Sequence, residues 1–258
     1  MWQLSFIFLV YCVLGWLLEV VYHIVTLGGF VNRGFLKGPY CPIYGFGMIF
    51  IVDLLHPYVD NPLLLFLASV VVTTLLELVV GAGLEIFLKK RWWDYSDEPL
   101  NFKGYICARF SLYWGVGALI AVKFIHPFVQ WVYDETPPLI IKLVVVIVGT
   151  MMVIDFIATL ADLLRLNKQL DKLEALRSKI EDLSISIGEK MESDSKRLQG
   201  VLEGYHREFE LEKVNIASRY KRLLKAFPKA RDKDNSSLTN LIKELRKQAE
   251  DNTNKEHK

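Results

Sequence analysis

The sequence predicts an all-α polytopic membrane protein: five transmembrane helices, built from two parallel helical-hairpin repeats plus a fifth helix, followed by a helical cytoplasmic tail. Three observations carry this expectation. The first is a break in composition: residues 1–165 hold 10 Lys/Arg and 12 Asp/Glu between long apolar runs, whereas 166–258 hold 21 and 17 and stay polar. The second is the placing of positive charge. Arg33 and Lys37 fall between the first two apolar runs, Lys89, Lys90, Arg91 and Lys103 between the third and fourth, and many more follow the fifth, while 57–61 and 126–137 carry none. The third is an internal echo. Residues 40–59 and 110–129 agree at six of twenty positions: Gly45/Gly115, Gly47/Gly117, Val52/Val122, His56/His126, Pro57/Pro127 and Val59/Val129. Aromatic pairs Tyr40/Phe110, Tyr44/Trp114 and Tyr58/Phe128 add to it, and LLE recurs at 17–19 and 75–77.

The transmembrane domain is expected over 1–165, with helices at about 2–27, 41–56, 62–88, 104–125 and 138–164. A span needs roughly 20 apolar residues to cross a ~30 Å hydrocarbon layer. The second is short, but Pro39 and Pro42 suit a first helical turn and His56-Pro57 a stop. Gly28-Gly29 ends the first helix, Pro62 opens the third and Pro137-Pro138 the fifth. The first run is too long and lacks the basic start of a cleaved signal, so it is expected to remain as a membrane helix. Positive loops stay on the cytoplasmic face. The N-terminus is therefore expected outside and the tail inside, with Trp92, Trp93 and Tyr95 as an inner-interface aromatic belt. Both hairpins then enter from the same side, as parallel repeats related by an axis along the membrane normal.

In the tail, Leu163, Leu166, Leu170, Leu173, Arg177, Ile180, Ser184, Ile187 and Met191 recur at alternating spacings of three and four. That seam suits a coiled coil and homo-oligomer over 166–227. It suits equally a helix folding back on Tyr205, Phe209, Ile216, Tyr220 and Leu223. Residues 228–258 read as a short amphipathic helix (Leu238, Leu241, Ile242, Leu245) with a disordered end. Tail charges are interspersed in sign, so nucleic acid is not expected as a partner. Cys12, Cys41 and Cys107 lack metal-ligand spacing. No metal or cofactor is expected.

Charges within the membrane require a reason, because each costs at least ~2.5–3.5 kcal/mol on insertion scales. At about 1.5 Å per residue, Glu19, Glu77 and Asp155 lie roughly 14–18 Å from the inner boundary, in one layer near the midplane. Each sits on a polar or small-residue stripe: Tyr11, Gly15, Glu19 and His23; Ser69, Thr73, Glu77, Gly81 and Glu85; Asp155, Thr159 and Asp162. Four-residue spacing keeps such stripes on one helix face. Glu19 and Glu77 are symmetry mates in the repeat and are expected to approach each other. The three carboxylates are candidates for a substrate or ion pathway, with hydrogen-bonded helix packing as the plainer alternative. Glu85 and Arg109, both shallow on the inner side, are expected to form an ion pair or to contact a headgroup. The outer His-Pro steps read as helix ends, and the Gly-x-Gly pairs as close helix packing.

GWLLEVVYHI, NRGFLKGPYCPIYGFG and WWDYSDEPLNFKGYICARFSLYWG together resemble the putative type IV ABC-transporter permease family of bacterial membrane proteins, over roughly residues 1–160. The resemblance implies a multi-pass protein of the bacterial cytoplasmic membrane that serves transport. The chain has no Walker A pattern and is not expected to be an enzyme, so ATP hydrolysis would fall to a separate ATPase subunit. Loops 31–42 and 91–107, with Arg33, Lys37, Trp93, Asp94 and Asp97, are the expected docking elements. Two alternatives remain open at this stage. One is an anchor, scaffold or sensor that works through its tail. The other is a membrane enzyme acting on a lipid headgroup, with Asp94 and Asp97 on magnesium and Lys103 and Arg109 on phosphate.

Overall fold

A computed structural model describes residues 1–27, 30, 32, 34–55, 60–88, 90–189, 192–226, 231–232 and 236–256. The chain is mostly helical and divides into two compact units, Met1–Leu160 and Ala161–Lys258. The division falls five residues before the expected boundary at 165.

Unit 1 starts with α1 (Trp2–Leu27), α2 (Pro42–Leu54) and α3 (Pro62–Leu88). It continues with α4 (Ala108–Glu135) and the first part of α5 (Pro138–Glu189). α1 packs along α2, and α3 along α4. Among the described residues four helices, α1, α3, α4 and α5, are long and apolar enough to cross a membrane. α2 is an apolar helix of 13 residues, about 20 Å long at the helical rise. It therefore covers less than the expected segment 41–56.

α2 is short because the chain approaches it without helix. Residues 34–40 are irregular, and the Cys41 amide donates to the carbonyl of Cys12, halfway along α1 (2.8 Å). Irregular backbone at such depth persists only when protein satisfies it. Asn32 Oδ1 accepts from the Trp16 indole N–H (2.8 Å) and the Gly34 amide (3.0 Å), and Asn32 Nδ2 donates to the Lys37 carbonyl (2.7 Å). Leu36 is fully buried beside Cys12 and Tyr40. All three cysteines are buried free thiols.

α4 is longer than expected. A helix over 104–125 ending at His126-Pro127 was the sequence expectation, yet the helix runs through Pro127 to Glu135. A π-helical turn at Ala121–Ile125 precedes the proline. Proline lacks an N–H and crowds the carbonyl four residues back, and a widened turn relieves both defects. The other His-Pro step, His56-Pro57, lies outside the described residues.

One core cluster gathers Phe6, Ile7 and Tyr11 of α1, Met48 and Ile51 of α2, and Leu55, which follows α2. It is completed by Leu65 of α3, Ala118, Ala121, Val122 and Val129 of α4, and Ile141 of α5. The glycines explain how closely the helices approach. A Cβ on Gly45 would meet Cys12 Sγ and Phe8 Cδ2 at 2.6 Å, and one on Gly115 would meet Phe66 Cε2 at 3.0 Å as well as Val70. Outward, α1, α3, α4 and α5 expose bands of large apolar side chains such as Leu18, Val79, Phe124 and Ile147.

Unit 2 combines the rest of α5 with α6 (Glu192–Arg219), α7 (Lys221–Ala226) and α8 (Ser236–Glu256). Leu163, Leu170 and Leu173 of the seam are buried, together with Leu176 off the seam, whereas Ser184 is exposed. Lys172 Nζ bridges Glu208 (3.3 Å) and Glu212 (2.7 Å) of α6, and Lys179 lies over the Tyr205 ring. The seam thus faces its own chain, with Ile216, Tyr220 and Leu223 buried, in the fold-back arrangement. Met191 lies outside the described residues. α8 packs on α6 and α7 through Leu241, Ile242 and Leu245, and Arg246 Nε donates to the Leu224 carbonyl (3.1 Å). The expected separate region 228–258 is therefore part of the tail unit, and its helix runs to Glu256 where a disordered end was expected.

Candidate functional site

The Gly15 and Gly45 contacts set α2 against α1, so that Tyr44 crosses the face carrying Glu19. Tyr44 Oη donates to Glu19 Oε1 (2.8 Å). On the other hairpin, Tyr95 reaches up from the α3–α4 loop and donates to Glu77 Oε1 (2.9 Å). The two arrangements meet. Tyr44 stands edge-on to Trp114 of α4 with ring centroids 5.2 Å apart, and Tyr95 stacks on Phe110 at 4.8 Å. Glu77 lies within electrostatic reach of Glu19 and beside the Trp114 side chain. The structure therefore brings Glu19 and Glu77 together in an aromatic surround. Tyr95 itself lies in the loop, where burial, then the nearby Glu77 carboxylate, pushes its phenol well above the usual tyrosine value.

Asp155 has a different set of partners. Its carboxylate accepts the Gly38 amide at 2.7 Å, the Lys37 amide at 3.2 Å and the Thr159 hydroxyl at 3.2 Å. It holds the irregular segment ahead of α2 to α5, as charged acceptors of backbone N–H groups do well. Lys37 contributes this amide to the arrangement, and its residue is exposed. Arg33 lies outside the described residues.

The expected Glu85–Arg109 pair is not formed. Arg91, six residues along the chain, reaches Glu85 first, with Nε to Oε2 at 2.7 Å. Arg91 Nη1 also donates to the Lys103 carbonyl (3.0 Å), and the guanidinium lies 4.6 Å over the Tyr105 ring. Burial works against the Arg91 charge, but its bond to Glu85 outweighs that and holds its pKa above the usual value. Arg109 is exposed, 3.5 Å from Glu98 and 3.2 Å from the Tyr113 hydroxyl.

Arg91 organises the loop. Asn101–Phe102 (β1) pairs antiparallel with Ile106–Cys107 (β2), and the turn between them holds Lys103 and Gly104 at positive φ (51° and 72°). Asp94 Oδ1 accepts from the Ser96 hydroxyl at 2.6 Å and the Ser96 amide at 3.1 Å, so this carboxylate is built into the turn. Asp97 is exposed. Among the described residues no group of three or more His, Cys, Asp or Glu could hold a metal ion. The residues of the expected aromatic belt pack within the unit. Trp92 is buried edge-to-face against Phe35 (5.6 Å), Trp93 packs at Gly81 and donates to the Tyr105 carbonyl (2.8 Å), and Tyr95 reaches Glu77. Acceptors inside the unit draw the Trp93 N–H and the Tyr95 O–H inward.

Sequence reasoning did not assign Tyr44, Tyr95, Trp114 or Arg91 to the site. A signal existed for two of them: Tyr44 and Trp114 were matched positions of the echo, each one residue before its glycine.

Four helices long and apolar enough to cross a membrane, with Glu77 buried and Glu19 half-buried between the hairpins, point to a membrane protein. Residues 6–160 match the model of the family described as "Putative ABC-transporter type IV", and the chain belongs to that family. Neither a curated protein nor a solved structure matches the chain. Family and helices together are consistent with a membrane transport component.

Proposed function

We propose that the chain is a permease-like subunit of a transport system in the bacterial cytoplasmic membrane, with its substrate or ion site at Glu19 and Glu77. The observation that carries this reading is the convergence of the two carboxylates. Each is held by a tyrosine, and they come from different hairpins in the interior of the membrane unit. Holding a buried Glu77 close to a half-buried Glu19 inside the unit is costly, and a functional role for the charge accounts for it.

The hairpins are read as two copies of one unit. Support comes from corresponding contacts: Gly45 packs on Phe8 and Gly115 on Phe66, and both Phe8/Phe66 and Glu19/Glu77 are 58 residues apart. In this reading α2 and the irregular segment before it complete a fifth crossing. The N-terminus then lies outside, and unit 2 with the 91–107 loop lies in the cytoplasm, as the Lys and Arg distribution favours. That loop, fixed by Arg91 and presenting Asp97, is the proposed docking element for a separate ATPase.

The test is affinity purification of the protein from native membranes in mild detergent. An ATPase is expected to co-purify, and Glu19→Gln or Glu77→Gln should preserve that assembly while abolishing its transport-coupled activity. Repeated purification without an ATPase would contradict the reading. An anchor or sensor that works through unit 2 is the second reading, favoured by that unit's own buried core. Deleting 170–258 would then remove function, whereas a transport core would retain it.

A further inference from the structure

The interior of the membrane unit holds more polar atoms than its hydrogen bonds use. Tyr11 Oη, Ser69 Oγ, Thr74 Oγ1, Glu77 Oε2, Trp114 Nε1 and His126 Nδ1 are buried with no hydrogen-bond partner among the described residues. Buried polar atoms are nearly always bonded, so such a set calls for an explanation.

Five of these residues, Tyr11, Ser69, Glu77, Trp114 and His126, can be placed relative to one another. Ser69, Thr73 and Glu77 repeat on one face of α3, about 6 Å apart at the helical rise. Tyr11 shares a core cluster with Leu65, a turn before Ser69, and with Val122, a turn before His126. Its ring centroid lies 6.3 Å from that of His126. Trp114, a turn before Ala118 of the same cluster, stands beside Glu77. Among them, His126 adjoins the π-turn of α4, a feature found often at functional sites.

Glu77 is 6% exposed. Oε1 accepts the Tyr95 hydroxyl, while Oε2 has no donor. The groups facing it are Glu19 of α1, Tyr44 of α2 beside Glu19, Trp114 of α4 and Tyr95 of the loop. Arg91, which follows α3 in the chain, is engaged by Glu85, two turns beyond Glu77. An ionised Glu77 would therefore face a second carboxylate, with the Tyr95 hydroxyl bonded to Oε1 and the Trp114 side chain alongside. As a carboxylic acid it relieves that repulsion and gains an O–H of its own.

We infer that Glu77 is a proton-binding site of the membrane unit, reached along Tyr11, Ser69 and His126. The inference rests on the reading of Glu19 and Glu77 as a transport site and identifies its coupling ion. The step is a simple one. A proton from the aqueous side forms an O–H bond on the Glu77 carboxylate, and its departure restores the carboxylate. Single polar atoms spread along neighbouring helices suit a proton relay; they do not converge as a metal's ligands must.

Infrared difference spectroscopy across a pH titration of the purified full-length protein in lipid nanodiscs tests this. A carboxylic-acid C=O band that titrates is expected. It should vanish in Glu77→Gln, shift in frequency in Glu77→Asp, and persist in Glu98→Gln, a loop control. Tyr11→Phe and Ser69→Ala should keep the band but slow its appearance after a pH jump severalfold. A band that survives Glu77→Gln, no titrating band at all, or one that follows sodium concentration instead of pH would overturn the site. Unchanged rates in both route variants would overturn the route. The measurement needs no substrate or partner, so its failure would remove the proton site while co-purification still decides the transport reading.

Discussion

At the scale of single residues, the matched glycines turn out not to be equivalent. Gly45 and Gly115 sit where a Cβ would strike the neighbouring helix, but nothing lies within 4 Å of a Cβ on Gly117. Gly45→Ala and Gly115→Ala are each expected to cost about 1–3 kcal/mol by overpacking. Gly117→Ala should be neutral or gain up to about 1 kcal/mol from helix propensity. Thermal unfolding in detergent checks the contrast. Asp155→Ala removes the acceptor of the Lys37 and Gly38 amides, and losing the part-buried bond to Gly38 is expected to cost about 1–3 kcal/mol. Faster labelling of a cysteine placed at Lys37 would report the loosened segment. Glu19 and Glu77 stand out in the sequence as the two carboxylates that follow Leu-Leu in long apolar runs, and the structure places them within electrostatic reach of each other. The role of Asp155 was not legible in the sequence. Its partners are backbone amides of an irregular segment more than a hundred residues earlier, and no side-chain pattern records them.

At the scale of elements, the long apolar runs were legible from length and hydropathy, while their ends depended on local backbone chemistry. A proline read as a stop lies inside α4 because the π-turn before it removes the clash. α2 is short because Asn32 and Asp155 give the preceding residues an alternative set of hydrogen bonds. The Glu85–Arg109 expectation failed for a similar reason. Both residues are shallow and on neighbouring helices, but the loop folds Arg91 onto Glu85 and leaves Arg109 with Glu98. Arg91 therefore carries the loop's geometry. Arg91→Ala should make residues 94–104 sensitive to limited proteolysis while the helices remain protected, and Arg91→Lys should restore only part of the protection, since an ammonium lacks the planar fork. An intact loop in Arg91→Ala would contradict this.

At the scale of the whole molecule, the abrupt change from apolar to charged sequence near 165 falls within a few residues of the division between the two units at Leu160 and Ala161. The tail's internal arrangement was less legible. A three-four seam fits a partner helix from another chain or from its own, and the choice depends on side chains such as Lys172 that the pattern does not weigh. A fragment spanning 161–258 is expected to sediment as a monomer, and a stable dimer would contradict the fold-back packing. The central claim is that two hairpins contribute one acidic centre. A double-mutant cycle on Glu19→Gln and Glu77→Gln, read by thermal stability at neutral pH, tests it most directly. A coupling of at least about 0.5 kcal/mol is expected for groups that share one site. Strictly additive effects would show that the two carboxylates act apart and would contradict the claim.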